Sequence, residues 1–286
     1  MKVKLIALLE ILLVYAAIQI VGIVRRSTGI VEWEIQTLGW SYTGMFIFVG
    51  IPALVMWLTR RDWAEYGVSL VDWQTNLDIG IKAYLARIIP YVFGVGGAMW
   101  LMLDRDKVSG GAFVALMEIV GLAVMLWVLN RQKPMKSGRG NLIITCLLLL
   151  FPILLALTMN ELSVAIVSTV VWQFVFSGFG EEFVWRGYVQ SRLNQAFGRP
   201  MRLFGVQFGW GLIIASILFG LLHAFNTYDP AIGFASLAWG SALSSAAAGL
   251  MFGVIREKTG TLLAPGIAHG LPDAVGEALA KIFGWM

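Results

Sequence analysis

Nine helix-length apolar runs, at about residues 5–24, 40–58, 88–103, 108–130, 142–159, 162–185, 205–225, 231–255 and 261–284, leave this chain few ways to fold. A hydrocarbon core about 30 Å thick takes about 20 apolar residues of helix to cross, and a barrel strand about half that number. Lipid offers no water to a free backbone amide, so runs of this length close their own hydrogen bonds as helices. Charged residues make up 13% of the chain and hydrophobic ones 58%, against about 25% charged in soluble domains. The expectation is an all-α, polytopic membrane bundle of eight or nine transmembrane helices. The weakest candidates are 88–103, with Pro90 and three glycines, and the last run, with Pro265, Pro272 and three charges.

The cations set orientation. A net charge of +4 does not point to nucleic acid, because the basic residues lie between apolar runs. Segments 131–141 and 186–202 each hold four cations and no acid, whereas 160–161 and 226–230 hold none. With nine spans and a cytoplasmic N-terminus, only Arg25, Arg26, Arg105, Lys107 and Lys281 of the 21 cations fall outside, as the positive-inside rule asks. The first run is longer than a signal-peptide core and reads as a retained helix. Residues 59–76, with Trp63, Tyr66 and Trp73, read as an interfacial stretch whose aromatic rings anchor at the headgroups. Gly205–Gly209 and Gly249–Gly253 read as points where helices approach closely. Cys146 is the sole cysteine and reads as a buried inert thiol, unable to form an internal disulfide.

The stretch "GFGEEFVWRG", residues 178–187, breaks the apolar pattern. A charge at the bilayer centre costs about 2.5–3.5 kcal/mol, so adjacent carboxylates there need partners or a task. Glu182 and Arg186 are i, i+4 and can pair, while Glu181 points about 100° away. Paired Glu182 stays ionised; two carboxylates this close push one toward the range of a general base. The chain's only two histidines lie downstream, His223 in "FGLLH" one turn after Phe219, and His269 in "HGLPD" one turn before Asp273. Such residues can hydrolyse an amide: a carboxylate deprotonates water, an imidazole shares the proton, and other donors hold the oxyanion. Three other readings of the same residues are a polar network that only joins helices, a proton-coupled transporter, and a non-catalytic binding or immunity protein. Glu10 and Glu118 are single carboxylates with no assigned role.

"EEFVWRG", "FGLLH" and "HGLPD" fit EExxxR, FxxxH and HxxxN/D in order, and the lead-in "KTGTLLAPGIAH" fits as well. Over about residues 160–276 the chain resembles the CAAX protease and bacteriocin-processing family of intramembrane proteases, which includes type II CAAX prenyl endopeptidases. The expected division is N-terminal transmembrane helices over 1–140, which the resemblance does not reach, and a catalytic helical core over 141–286. The resemblance implies an endopeptidase acting on a peptide or on a prenylated or otherwise membrane-associated protein tail, in a cavity open to the cytoplasmic side. Glu181 would activate water with His223, Glu182 would support the cluster through Arg186, Phe219 would pack the site, and His269 and Asp273 would form the oxyanion site. Asp273 stands where the CAAX-processing members have Asn, and an ionised aspartate cannot donate to an oxyanion. Members have been labelled metalloproteases, but no HExxH occurs here, so zinc is disfavoured and no cofactor is expected. Glu181 and His223 can meet only if the glutamate helix runs on to about Leu193 and the next helix starts near Gly209.

Overall fold

The computed structural model describes residues 2–131, 138–229 and 231–285, and the chain is 79% helical. Lys133 and Lys136 of the cation-rich 131–141 segment lie outside the described residues. The helices are α1 (Lys2–Arg26), α2 (Ile30–Leu38), α3 (Tyr42–Leu58), α4 (Trp73–Trp100), α5 (Val108–Arg131) and α6 (Gly138–Thr158). Then come α7 (Val164–Phe197), a two-stranded hairpin of β1 (Met201–Leu203) and β2 (Val206–Phe208), α8 (Trp210–Ala224), α9 (Trp239–Thr259) and α10 (Leu263–Ile282).

Each of the nine apolar runs falls on a helix, with shifted bounds. The run at 88–103 is the second half of α4, which tolerates Pro90 and begins fifteen residues earlier at Trp73. α7 continues through the paired glutamates to Phe197, and α8 starts just after Gly209, so the two meet as the glutamate–histidine geometry requires. Among the described residues six helices are long and apolar enough to cross a membrane, or seven if α2 and α3, bent by 116°, make one span. The expected count of eight or nine is not confirmed, because α9 and α10 fall outside that set. α9 carries Arg256, Glu257 and Lys258 near its end, and α10 presents a largely buried face of small and polar residues.

Packing brings the polar helices to the middle. α10 lies against α7, α4 and α6, and α9 lies against α8 and α5. Small residues permit this. A Cβ on Gly178 would stand 2.6 Å from the Cα of Gly270, so α7 and α10 touch backbone to backbone just below the glutamates. Gly178→Val is therefore expected to lose at least about 1–3 kcal/mol of stability through overpacking, read as an earlier transition in thermal unfolding. Gly249 and Gly253 do serve close approach, facing Ser216 and Leu212 of α8. Gly205 does not: at φ +82° it turns the unforeseen β1–β2 hairpin, a conformation glycine takes at no steric cost.

Two other expectations change. Tyr66 is no headgroup anchor; it is 1% exposed, accepts from Arg61 and donates to Gln195. Cys146 is exposed on the outer face of α6 rather than buried, since an apolar side chain in a membrane helix can face lipid as readily as protein. Glu10 of α1 has partners after all, accepting from Arg61, Tyr188 and Arg192 at 2.7, 2.6 and 2.9 Å. It ties α1 to the end of α7.

Candidate active site

The glutamates sit on a distorted helix. From Trp172 to Glu181 and from Phe183 to Gln190, α7 is wound as a π-helix. Its i→i+5 bonds widen the turn and re-aim side chains, a winding that concentrates at functional sites. Three glycines, Gly178, Gly180 and Gly187, fall inside it. Glu182 and Arg186 are fully buried and pair at 3.0 Å, and Arg186 also donates to the Gly249 carbonyl at 3.0 Å.

His269 enters from α10. Its Nδ1 lies 2.9 Å from Oε1 of Glu182, and its Nε2 lies 3.4 Å from Oδ2 of Asp273. Both ring nitrogens thus face carboxylates, and the ring stacks on Phe252 at 4.6 Å. His223 ends α8 differently. Its Nδ1 is 2.9 Å from the Phe219 carbonyl oxygen; a carbonyl only accepts, so Nδ1 carries the proton and a neutral ring keeps its lone pair on Nε2. The Phe219 ring separates the imidazoles, 4.6 Å from His223 and 5.8 Å from His269, and Arg186 lies 4.6 Å over it.

Glu181 accepts one weak side-chain hydrogen bond, from Ser177 Oγ at 3.4 Å. Its Oε2 is buried without a partner. A cavity of about 470 Å³ is walled by His223, His269, Asp273 and Phe219, with Glu277 and Phe252. Glu181 and Glu182 are not on that wall. Of the seven residues singled out in the sequence, Phe219, His223, His269 and Asp273 line one cavity, Glu182 and Arg186 join them through His269, and Glu181 has no hydrogen bond to either imidazole.

The cavity also holds residues the sequence reading passed over. Arg87 of α4 and Glu118 of α5 line it, joined by bonds of 2.7–3.1 Å. Pairs 31 residues apart leave no local pattern; the only signal was a buried-range cation and carboxylate on neighbouring apolar helices. The exposed loop Asp104–Asp106 completes the wall and marks the mouth. Arg105 stands on this rim and Lys107 follows it in the chain, two of the cations that the nine-span count places outside. The cytoplasmic opening implied by the resemblance and the orientation implied by charge thus point to opposite faces.

Among the described residues no three His, Cys, Asp or Glu side chains form a metal-binding group. Catalytic zinc needs three ligands and an open position, and His269 has both nitrogens turned to carboxylates. The donor set does not fit that ion.

Residues 147–275 match the family model described as type II CAAX prenyl endopeptidase Rce1-like. No individual curated protein and no solved structure matches the chain.

Proposed function

We propose, from the Rce1-like segment over residues 147–275, that this protein is an intramembrane endopeptidase of glutamate type. It hydrolyses a peptide bond in a peptide or in the tail of a membrane-associated protein. The observation that supports the reading is that His223, His269 and Asp273 wall one cavity, and that Glu182, the neighbour of Glu181, bonds His269.

In this reading water sits between Glu181 and Nε2 of His223. Glu181 takes its proton as the oxygen attacks the carbonyl carbon, and later returns that proton to the leaving amine. Glu182, fixed by Arg186, holds His269 in place. His269 and Asp273 frame the position where negative charge develops. The buried apolar wall of Phe219 and Phe252 keeps bulk water out, which strengthens each of these interactions. Incubating the purified protein with a peptide library, with and without a chelator, tests the activity. Cleavage that persists under chelation supports it, and no cleavage in either arm removes it.

We propose the orientation from this chain's own cations, whose distribution over nine spans favours a mouth on the non-cytoplasmic face. A single cysteine at the exposed mouth, Lys107→Cys in a Cys146→Ser background, is then expected to react with a membrane-impermeant maleimide in intact cells. Labelling only after permeabilisation would restore the cytoplasmic opening.

A further inference from the structure

The oxyanion position lacks an obvious donor. His269 faces carboxylates with both nitrogens, His223 gives its Nδ1 proton to a backbone carbonyl, and Asp273 as a carboxylate can only accept. Arg87 offers what is missing. Its Nε bonds both oxygens of Glu118 at 3.1 and 3.0 Å and its Nη2 bonds Oε1 at 2.7 Å, so one edge of the guanidinium is locked. Its Nη1 has no partner, although the side chain is only 6% exposed and lines the cavity. Among the described residues on that wall it is the one buried side-chain nitrogen left unpaired. A buried donor without an acceptor costs about 1–3 kcal/mol, a cost that an incoming oxygen removes.

Arg87 shares the cavity wall with His223, His269 and Asp273, and its guanidinium lies 4.7 Å over Tyr91 and 5.2 Å over Phe252, two more residues of that wall.

We propose that Arg87, contributed by α4 outside the family-matched segment, is the oxyanion donor of this site and supplies the hydrogen bond that Asp273 cannot. The inference rests on the endopeptidase reading. When water adds to the carbonyl carbon, its proton passes to Glu181 and the carbonyl π pair moves onto oxygen. That oxygen accepts from Nη1. On collapse the C–N bond breaks and the Glu181 proton leaves with the amine, so peptide plus water becomes acid plus amine. Glu118 keeps the guanidinium aimed and its charge balanced while the site is empty.

The test uses the full-length protein and a peptide that the wild type cleaves. Arg87→Gln alone strands Glu118 as a buried unpaired carboxylate and can unfold the protein, so Arg87→Gln/Glu118→Gln is the working variant. The expected result is a folded protein with kcat lowered about 10²–10³-fold, the usual loss for one oxyanion donor, and KM within about threefold, a split a merely structural pair would not give. Adding Asp273→Asn, which restores an amide donor, is expected to return at least about tenfold of the lost rate. A folded double variant with kcat within about threefold of wild type overturns the proposal, as does failure of Asp273→Asn to recover rate. A wild type that cleaves nothing overturns the endopeptidase reading and this inference with it; cleavage indifferent to Arg87 overturns this inference alone.

Discussion

Replacing Glu181 with Gln leaves a folded protein that turns peptide over about 10²–10⁴-fold more slowly, the range general-base catalysis contributes. The substitution keeps shape and removes the ability to take a proton. Nothing structural depends on the charge: Oε2 has no partner, and Ser177 can donate to the amide oxygen of Gln as it does to the carboxylate. Unfolding in detergent is therefore expected to match wild type, while peptide cleavage followed by mass spectrometry collapses. The prediction is demanding, because Glu181 lies off the cavity wall. Cleavage within threefold of wild type would assign the base elsewhere.

Arg186→Met has the opposite signature. The wild-type pair with Glu182 is fully buried, and both Arg186 and His269 bond the same oxygen, Oε1 of Glu182. Removing the guanidinium leaves a carboxylate in an apolar interior with a single hydrogen-bonded partner. Breaking a buried pair on one side costs about 3–5 kcal/mol, and here the loss includes the bond to Gly249 and the contacts over Phe219 and Phe252. An unfolding titration is expected to show that loss. Arg186→Met/Glu182→Gln is expected to regain much of it, since neutralising the orphan removes most of the penalty. Were the single variant as stable as wild type, Glu182 would have to find its counter-charge elsewhere.

Local chemistry was legible in the sequence, and long-range chemistry was not. Glu182 with Arg186 and His269 with Asp273 are one-turn pairs, so spacing alone placed each on a shared face. The need for Glu181 and His223 to meet at mid-depth foretold that α7 would outrun its apolar window and that α8 would start late. The π winding of α7 was invisible, because hydrophobic pattern reports which residues are apolar and not how many close a turn. Arg87–Glu118 and Glu10–Arg61 were missed for a different reason. Each joins residues far apart in the chain, and a lone charge in an apolar run gives no hint of its partner's position. Tyr66 misled because a loop rich in aromatics and charge looks the same whether it lies on a headgroup layer or folds back under the bundle. The span count was not confirmed since helices shielded by neighbours, such as α9 and α10, need not be apolar all round.

The bare contact between Gly178 and Gly270 has a bearing on how this protein could be re-engineered. Glu181 and Glu182 follow that crossing by three and four residues, and His269 precedes it by one. Acid and imidazole are thus gauged from a single fulcrum of main chain, independent of any side chain that meets a ligand. On the endopeptidase reading, exchange of Ser244, Ser245 or the Asp104–Asp106 rim is expected to change which guests enter while the spacing of Glu181, Glu182 and His269 is kept. Selectivity and reactivity would then be separately adjustable parts.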